Sequence, residues 1–163
     1  MRRNPAAGKS HMEIRTADLT DPQVLDLLRI HLHGMQANTP AVHVFALDLS
    51  GLQQPGITLW AAWREGRALG IGALKRLDAC SGEIKSMRTH PDHLRQGVGA
   101  CLLDHIIDAA RAAGLTRLSL ETGRGDAFDP ALALYRRRGF VAGPPFGAYE
   151  ASPYNQFFHL ALD

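Results

Sequence analysis

The sequence predicts an α/β fold built around one central mixed sheet. Three observations carry this. Short apolar or alternating stretches that read as strands are interleaved with longer stretches whose apolar residues recur at helical spacing. Gly34, Pro91, Gly114 and Gly139 fall at the joints between them. The chain has 163 residues, 45% hydrophobic and 21% charged, enough to bury one sizeable core.

The elements follow in order. Residues 13–18 alternate and read as a first strand. Asp21 stands at an N-cap with Pro22 at the first helical position, and Val24, Leu25, Leu28 and Leu32 mark one face of a helix that Gly34 is expected to end. A short helix is expected over 42–49. Strands at 57–63 and 68–75 flank a turn at Arg64-Glu65-Gly66-Arg67 and read as a hairpin. Residues 82–89 form a further strand before Pro91. A helix over about 97–113 presents Val98, Cys101, Leu102, His105, Ile106 and Ala109 on one face, and Gly114 stops it. A strand at 116–121, a helix from Asp129-Pro130 to Arg138, a strand opened by Phe140 and a last strand over 155–162 complete the layout.

Composition narrows the function classes. Two cysteines, Cys80 and Cys101, exclude a disulfide framework and a Cys-rich zinc site. No stretch reaches the ~20 apolar residues that span a bilayer, and the basic N-terminus has no apolar run behind it. A cytoplasmic protein without membrane attachment is the expectation. Residues 1–11 read as an expression remnant ahead of a start at Met12, leaving one domain over 12–163. The net charge of +2 owes three cations, Arg2, Arg3 and Lys9, to that segment. The remainder is close to neutral, and a nucleic-acid partner is not expected. Gly8-Lys9-Ser10 mimics the end of a phosphate loop, but the earlier glycine would fall at Arg3.

The chemistry concentrates between Gly82 and Gly99. The strand Glu83-Ile84-Lys85-Ser86-Met87-Arg88-Thr89 runs through His90-Pro91-Asp92-His93-Leu94-Arg95-Gln96 into a helix opened by Gly97-Val98-Gly99. Small residues there let backbone approach a ligand, and the free N–H groups of the helix start attract an anion. Arg95 adds a cation, so a phosphate or pyrophosphate is the expected ligand fragment. A dinucleotide fingerprint fails at Leu102, and a nucleotide phosphate loop fails at Ala100-Cys101.

A second block follows, Ala131-Leu132-Ala133-Leu134-Tyr135-Arg136-Arg137-Arg138-Gly139-Phe140. With the first block, in this order and spacing, it resembles the GNAT superfamily of N-acetyltransferases, and the layout of residues 12–163 fits throughout. The resemblance implies a mostly antiparallel sheet of about seven strands flanked by about four helices, with a parallel, splayed strand pair at the cofactor cleft. It implies acetyl-CoA as co-substrate, no metal, and direct transfer of acetyl to a primary amine of a small molecule or peptide. An acyl-CoA sensor without turnover is the alternative. A homodimer is common in this fold.

Residue by residue, the resemblance implies that Met87, Arg88 and Thr89 pair with the pantetheine arm. Arg95, Gln96, Gly97, Val98, Gly99 and Ala100 would cradle the pyrophosphate, and Tyr135 would protonate the leaving thiolate. Arg138 is expected at the coenzyme phosphates. Two positions depart from the family pattern. Leu94 stands where Arg or Gln is frequent, so phosphate binding leans on backbone N–H groups and Arg95. Phe128 stands where Asn is frequent, beside the cofactor arm. Glu83 is the candidate general base, against a simpler reading as an exposed charge paired with Lys85, and Glu121 is the runner-up. His43, Glu121 and Tyr149, the last within Pro145-Phe146-Gly147-Ala148-Tyr149, are expected near the acceptor. His31 and His33 read as solvated histidines at a helix end.

Overall fold

A computed structural model describes residues 11–38 and 49–163. His43 and nearly all of the helix expected over 42–49 lie outside the described residues. The strands are β1 (Glu13–Thr16), β2 (Ile57–Arg64), β3 (Arg67–Arg76), β4 (Ser81–Thr89), β5 (Arg117–Gly123), β6 (Val141–Gly143) and β7 (Asn155–Ala161). The helices are α1 (Pro22–Asn38), the single turn α2 (Leu49–Leu52), α3 (Val98–Ala112) and α4 (Asp129–Arg137). All seven strands form one sheet in the order β1-β2-β3-β4-β5-β7-β6. Every neighbouring pair is antiparallel except β4 and β5. Among the described residues, no helix is long and apolar enough to cross a membrane.

The helix signals operate as the sequence suggests, with one exception. Asp21 caps α1, its Oδ1 accepting from the backbone N–H of Gln23 at 2.8 Å. Gly34 does not end that helix, which runs on to Asn38. A Cβ at Gly34 would stand 3.0–3.2 Å from the Arg88 guanidinium, so the glycine serves a close approach between helix and strand rather than a stop. Phe140 also shifts role. It is 2% exposed and fills the core just ahead of β6.

The two sheet faces are packed differently. On one, Val98, Leu102, Leu103 and Ile106 of α3 meet Ile84, Leu118, Leu120 and Phe158 in the larger core, which also takes Tyr135 of α4. On the other, Val24 and Leu27 of α1 and Leu52 of α2 cover Leu59, Ala61, Ile71 and Ala73. This second face of β4, β5 and β7 carries polar and aromatic side chains. The segment after β6 lies against it, with Phe146 and Tyr149 ring-to-ring against Phe157.

Two irregularities shape the site. The β3–β4 register pairs Ile71 with Arg88 and Ala73 with Lys85, so β4 spends three residues where β3 spends two. The extra residue falls at Ser86, whose φ is 57°. It keeps Met87 on the core side against Ile106, and sets Arg88 on the same face as Lys85 and Glu83. The second irregularity is a splay. β4 pairs with β5 only from Ser81 to Glu83, and among the described residues the rest of that β4 edge has no strand partner.

Candidate active site

The splay opens a cleft of about 150 Å³ between β4 and β5, roofed by α1 and by the segment carrying Tyr149. Its walls bring together Glu83, Lys85, Arg88, Glu121, Tyr135 and Tyr149. They come from two strands, a helix and a loop. Met87 of β4 and Phe128, just ahead of α4, also line it.

Glu83 is not an exposed charge. It is 3% exposed, and its Oε2 accepts from the Tyr149 hydroxyl at 2.5 Å. Lys85 Nζ lies 3.6 Å from the same oxygen and donates to the Tyr149 hydroxyl at 3.1 Å. The pairing of Glu83 with Lys85 therefore holds, but inside the cleft. Burial lowers the Lys85 ammonium, with Glu83 pulling back the other way. Burial and the Glu83 carboxylate both push the Tyr149 phenol up, so it stays protonated.

Glu121 stands across the cleft on β5. Asn155 Nδ2 donates to its Oε2 at 3.3 Å. Burial raises its carboxyl above the ordinary value, the Asn155 hydrogen bond and Lys85 oppose this, and Glu83 adds to it. Tyr135 is 6% exposed, packed edge to face on Phe140 with ring centroids 5.6 Å apart. Burial pushes its phenol up to about 12, with Arg88 pulling in the other direction. It therefore holds its proton across neutral pH.

Sequence reasoning missed three contacts. His31 is no solvated histidine. It faces the cleft, and its Nδ1 accepts from Arg88 Nε at 3.1 Å. Burial, then Arg88, lowers it to about 3, so it is neutral. Asn155 is the partner of Glu121. His159 anchors the Tyr149 segment: its Nε2 donates to the Pro144 carbonyl at 2.8 Å, and its Nδ1 accepts from Ser119 and Arg117, both at 2.7 Å. His31 and Arg88 are 57 positions apart, and no local pattern could join them. Alternation along the strand was the available signal for Lys85, which it sets on the face of Glu83.

The expected phosphate cradle lies at the start of α3. Arg95 and Gly97 both have left-handed backbone, with φ of 61° and 81°. Left-handed residues in a turn are the backbone from which anion-binding nests of N–H groups are built. Gly99 differs: an added Cβ would meet only Leu134 at 3.4 Å and Thr89 at 3.8 Å, so packing alone does not demand glycine. Gln96 accepts from Arg64. Arg138 forks onto Asp104 at 2.6 and 3.1 Å, which raises its guanidinium further. Val98 is buried in the core and Ala100 is partly exposed on the first turn. Among the described residues, no group of three or more His, Cys, Asp or Glu side chains stands together as a metal site.

The mixed seven-stranded sheet splayed at one parallel pair, with a glycine-opened helix at the splay, matches the fold expected from the sequence, and comparison with known proteins supplies the class. The family model for the acetyltransferase (GNAT) family matches residues 38–140. The uncharacterized N-acetyltransferase YsnE of Bacillus subtilis is 47% identical over 151 residues, covering 93% of this chain and all of that protein. A candidate acyl-CoA N-acyltransferase from Klebsiella pneumoniae superposes with a TM-score of 0.78 at 29% identity, over 93% of this chain and 98% of that one. A GNAT family acetyltransferase from Elizabethkingia anophelis, solved with acetyl-CoA bound, superposes with a TM-score of 0.68 at 20% identity, over 93% and 98%. The chain belongs to the GNAT family and is an N-acetyltransferase by class.

Proposed function

We propose that the protein moves an acetyl group from acetyl-CoA to a primary amine by direct attack, with both substrates held in one cleft. The observation that carries this is the splay itself. Among the described residues it leaves one edge of β4 unpaired beside two carboxylates and a protonated phenol. The open space beside Gly97 and the left-handed backbone at Arg95 and Gly97 fit a pyrophosphate, and the β4 edge at Met87, Arg88 and Thr89, unpaired among the described residues, fits an amide-bearing arm. When bound, acetyl-CoA supplies an activated thioester.

The protein's own residues then divide the work. Glu121 holds the acceptor ammonium and takes a proton from it, since burial raises its carboxyl and makes it a stronger base than an exposed carboxylate. Glu83, the carboxylate favoured by sequence, is already engaged by Tyr149 and Lys85, and in this reading it fixes both. Tyr135 gives its proton to the departing sulfur. The burial that closes the cleft strengthens each of these interactions.

Tyr135→Phe keeps the edge-to-face packing on Phe140 and removes only the acid. Its kcat is expected to fall roughly 100-fold or more in a thiol-release assay with any accepted amine. Full activity in that variant would remove Tyr135 from the mechanism. Tight coenzyme binding without transfer to any amine would instead favour a sensor.

A further inference from the structure

We infer that the acceptor is an amine that also carries a carboxylate, and that Arg88 binds that carboxylate. This rests on the acetyltransfer reading above and adds the substrate class to it.

Arg88 reaches the cleft because of the extra residue at Ser86, which sets it on the face of Glu83 and Lys85. Its guanidinium is already placed before any ligand arrives. Nε donates to His31 Nδ1 at 3.1 Å, and the group lies so close to Gly34 that a Cβ there would stand 3.0–3.2 Å away. His31 cannot compensate the charge, being held neutral. Among the described residues, Glu83 pairs with Lys85, and no carboxylate pairs with Arg88. Burial pulls the guanidinium below its usual range, with Tyr135 opposing.

A partly buried guanidinium that lines a cleft and has no carboxylate partner among the described residues is matched by a carboxylate, which accepts two parallel N–H bonds. The same cleft holds Glu121, whose one hydrogen-bond donor among the described residues is Asn155, and which suits an ammonium. One cation and one anion, each on its own wall, describe a zwitterionic acceptor. A plain amine would leave Arg88 uncompensated, and a site with an unpaired buried polar group discriminates against the ligand that leaves it so.

The test uses amines matched in pairs that differ by a carboxylate: phenylalanine against 2-phenylethylamine, and 4-aminobutanoate against propylamine. Thiol release gives kcat/KM for each with the wild-type protein, Arg88→Gln and Arg88→Lys. The wild type is expected to favour the carboxylate-bearing member of an accepted pair by about 10- to 100-fold. In Arg88→Gln that ratio is expected to fall to within about threefold of unity, mainly through KM, with Arg88→Lys in between. Because a ratio is read, a general loss from coenzyme binding cancels. Should Arg88→Gln fail to fold, the wild-type ratio and Arg88→Lys still decide. Equal or faster turnover of the plain amines overturns the inference alone, as does a preference that survives in Arg88→Gln. No thiol release with any amine overturns the acetyltransfer reading, and the inference with it.

Discussion

Glu121 and Gly99 are the residues where position and role diverge most clearly from what folding alone requires. The Glu121 carboxyl is raised by burial, so the folded state binds its proton more tightly than the unfolded chain does. Stability from this group is therefore fully present in acid and is lost as pH rises through the raised value. Glu121→Gln keeps an oxygen for Asn155 to donate to. It is expected to melt slightly higher at pH 7, on the order of 1–2 °C, with the gain vanishing in acid. Its turnover is expected to drop roughly 100-fold. A melting series across pH and one rate measurement check both. Gly99 is the complementary case. An added methyl meets only ordinary contacts in the protein, so Gly99→Ala is expected to melt within about 2 °C of wild type. Its KM for acetyl-CoA is expected to rise about tenfold or more, since the methyl would crowd Thr89 at the proposed cofactor edge and stiffen the turn that opens α3. A normal KM would place the pyrophosphate elsewhere.

At the scale of elements, β4 is the organising piece. One extra residue turns a strand that would alternate strictly into one that sends Met87 to the core and Glu83, Lys85 and Arg88 to the cleft. Ser86 holds that bulge in left-handed backbone, which a β-branched residue adopts poorly. Ser86→Val is expected to cost about 1–2 kcal/mol, measured by denaturant unfolding, and to lower turnover by more than that stability loss explains. The bulge was not legible in the sequence, because Glu-Ile-Lys-Ser-Met-Arg-Thr has no glycine to mark it. The helix α3 was legible, because its apolar spacing, its opening glycines and Gly114 all agree. The end of α1 was misread because Gly34 looks like a stop, while its cause is Arg88, which lies far along the chain.

Across the whole molecule, the sheet is joined along β1-β2-β3-β4 on one side and β5-β7-β6 on the other, with Ser81–Glu83 of β4 bridging to β5. A ligand seated in the splay would tie the two sides together. At about 100 times its dissociation constant, acetyl-CoA is expected to add about 2.7 kcal/mol. For a domain of this size that is a rise of about 5–10 °C in melting temperature. No shift at that concentration would mean that the cleft does not hold it. The sequence by itself determined the order of strands and helices and the glycine-opened helix, because hydrophobic period, caps and turn residues are local properties. Only the tertiary structure decided that Tyr149 meets Glu83, that Asn155 meets Glu121 and that Arg88 stands against His31 and Gly34. Those contacts join residues 34 to 66 positions apart, and their partners are chosen by strand register and packing, which no local pattern encodes.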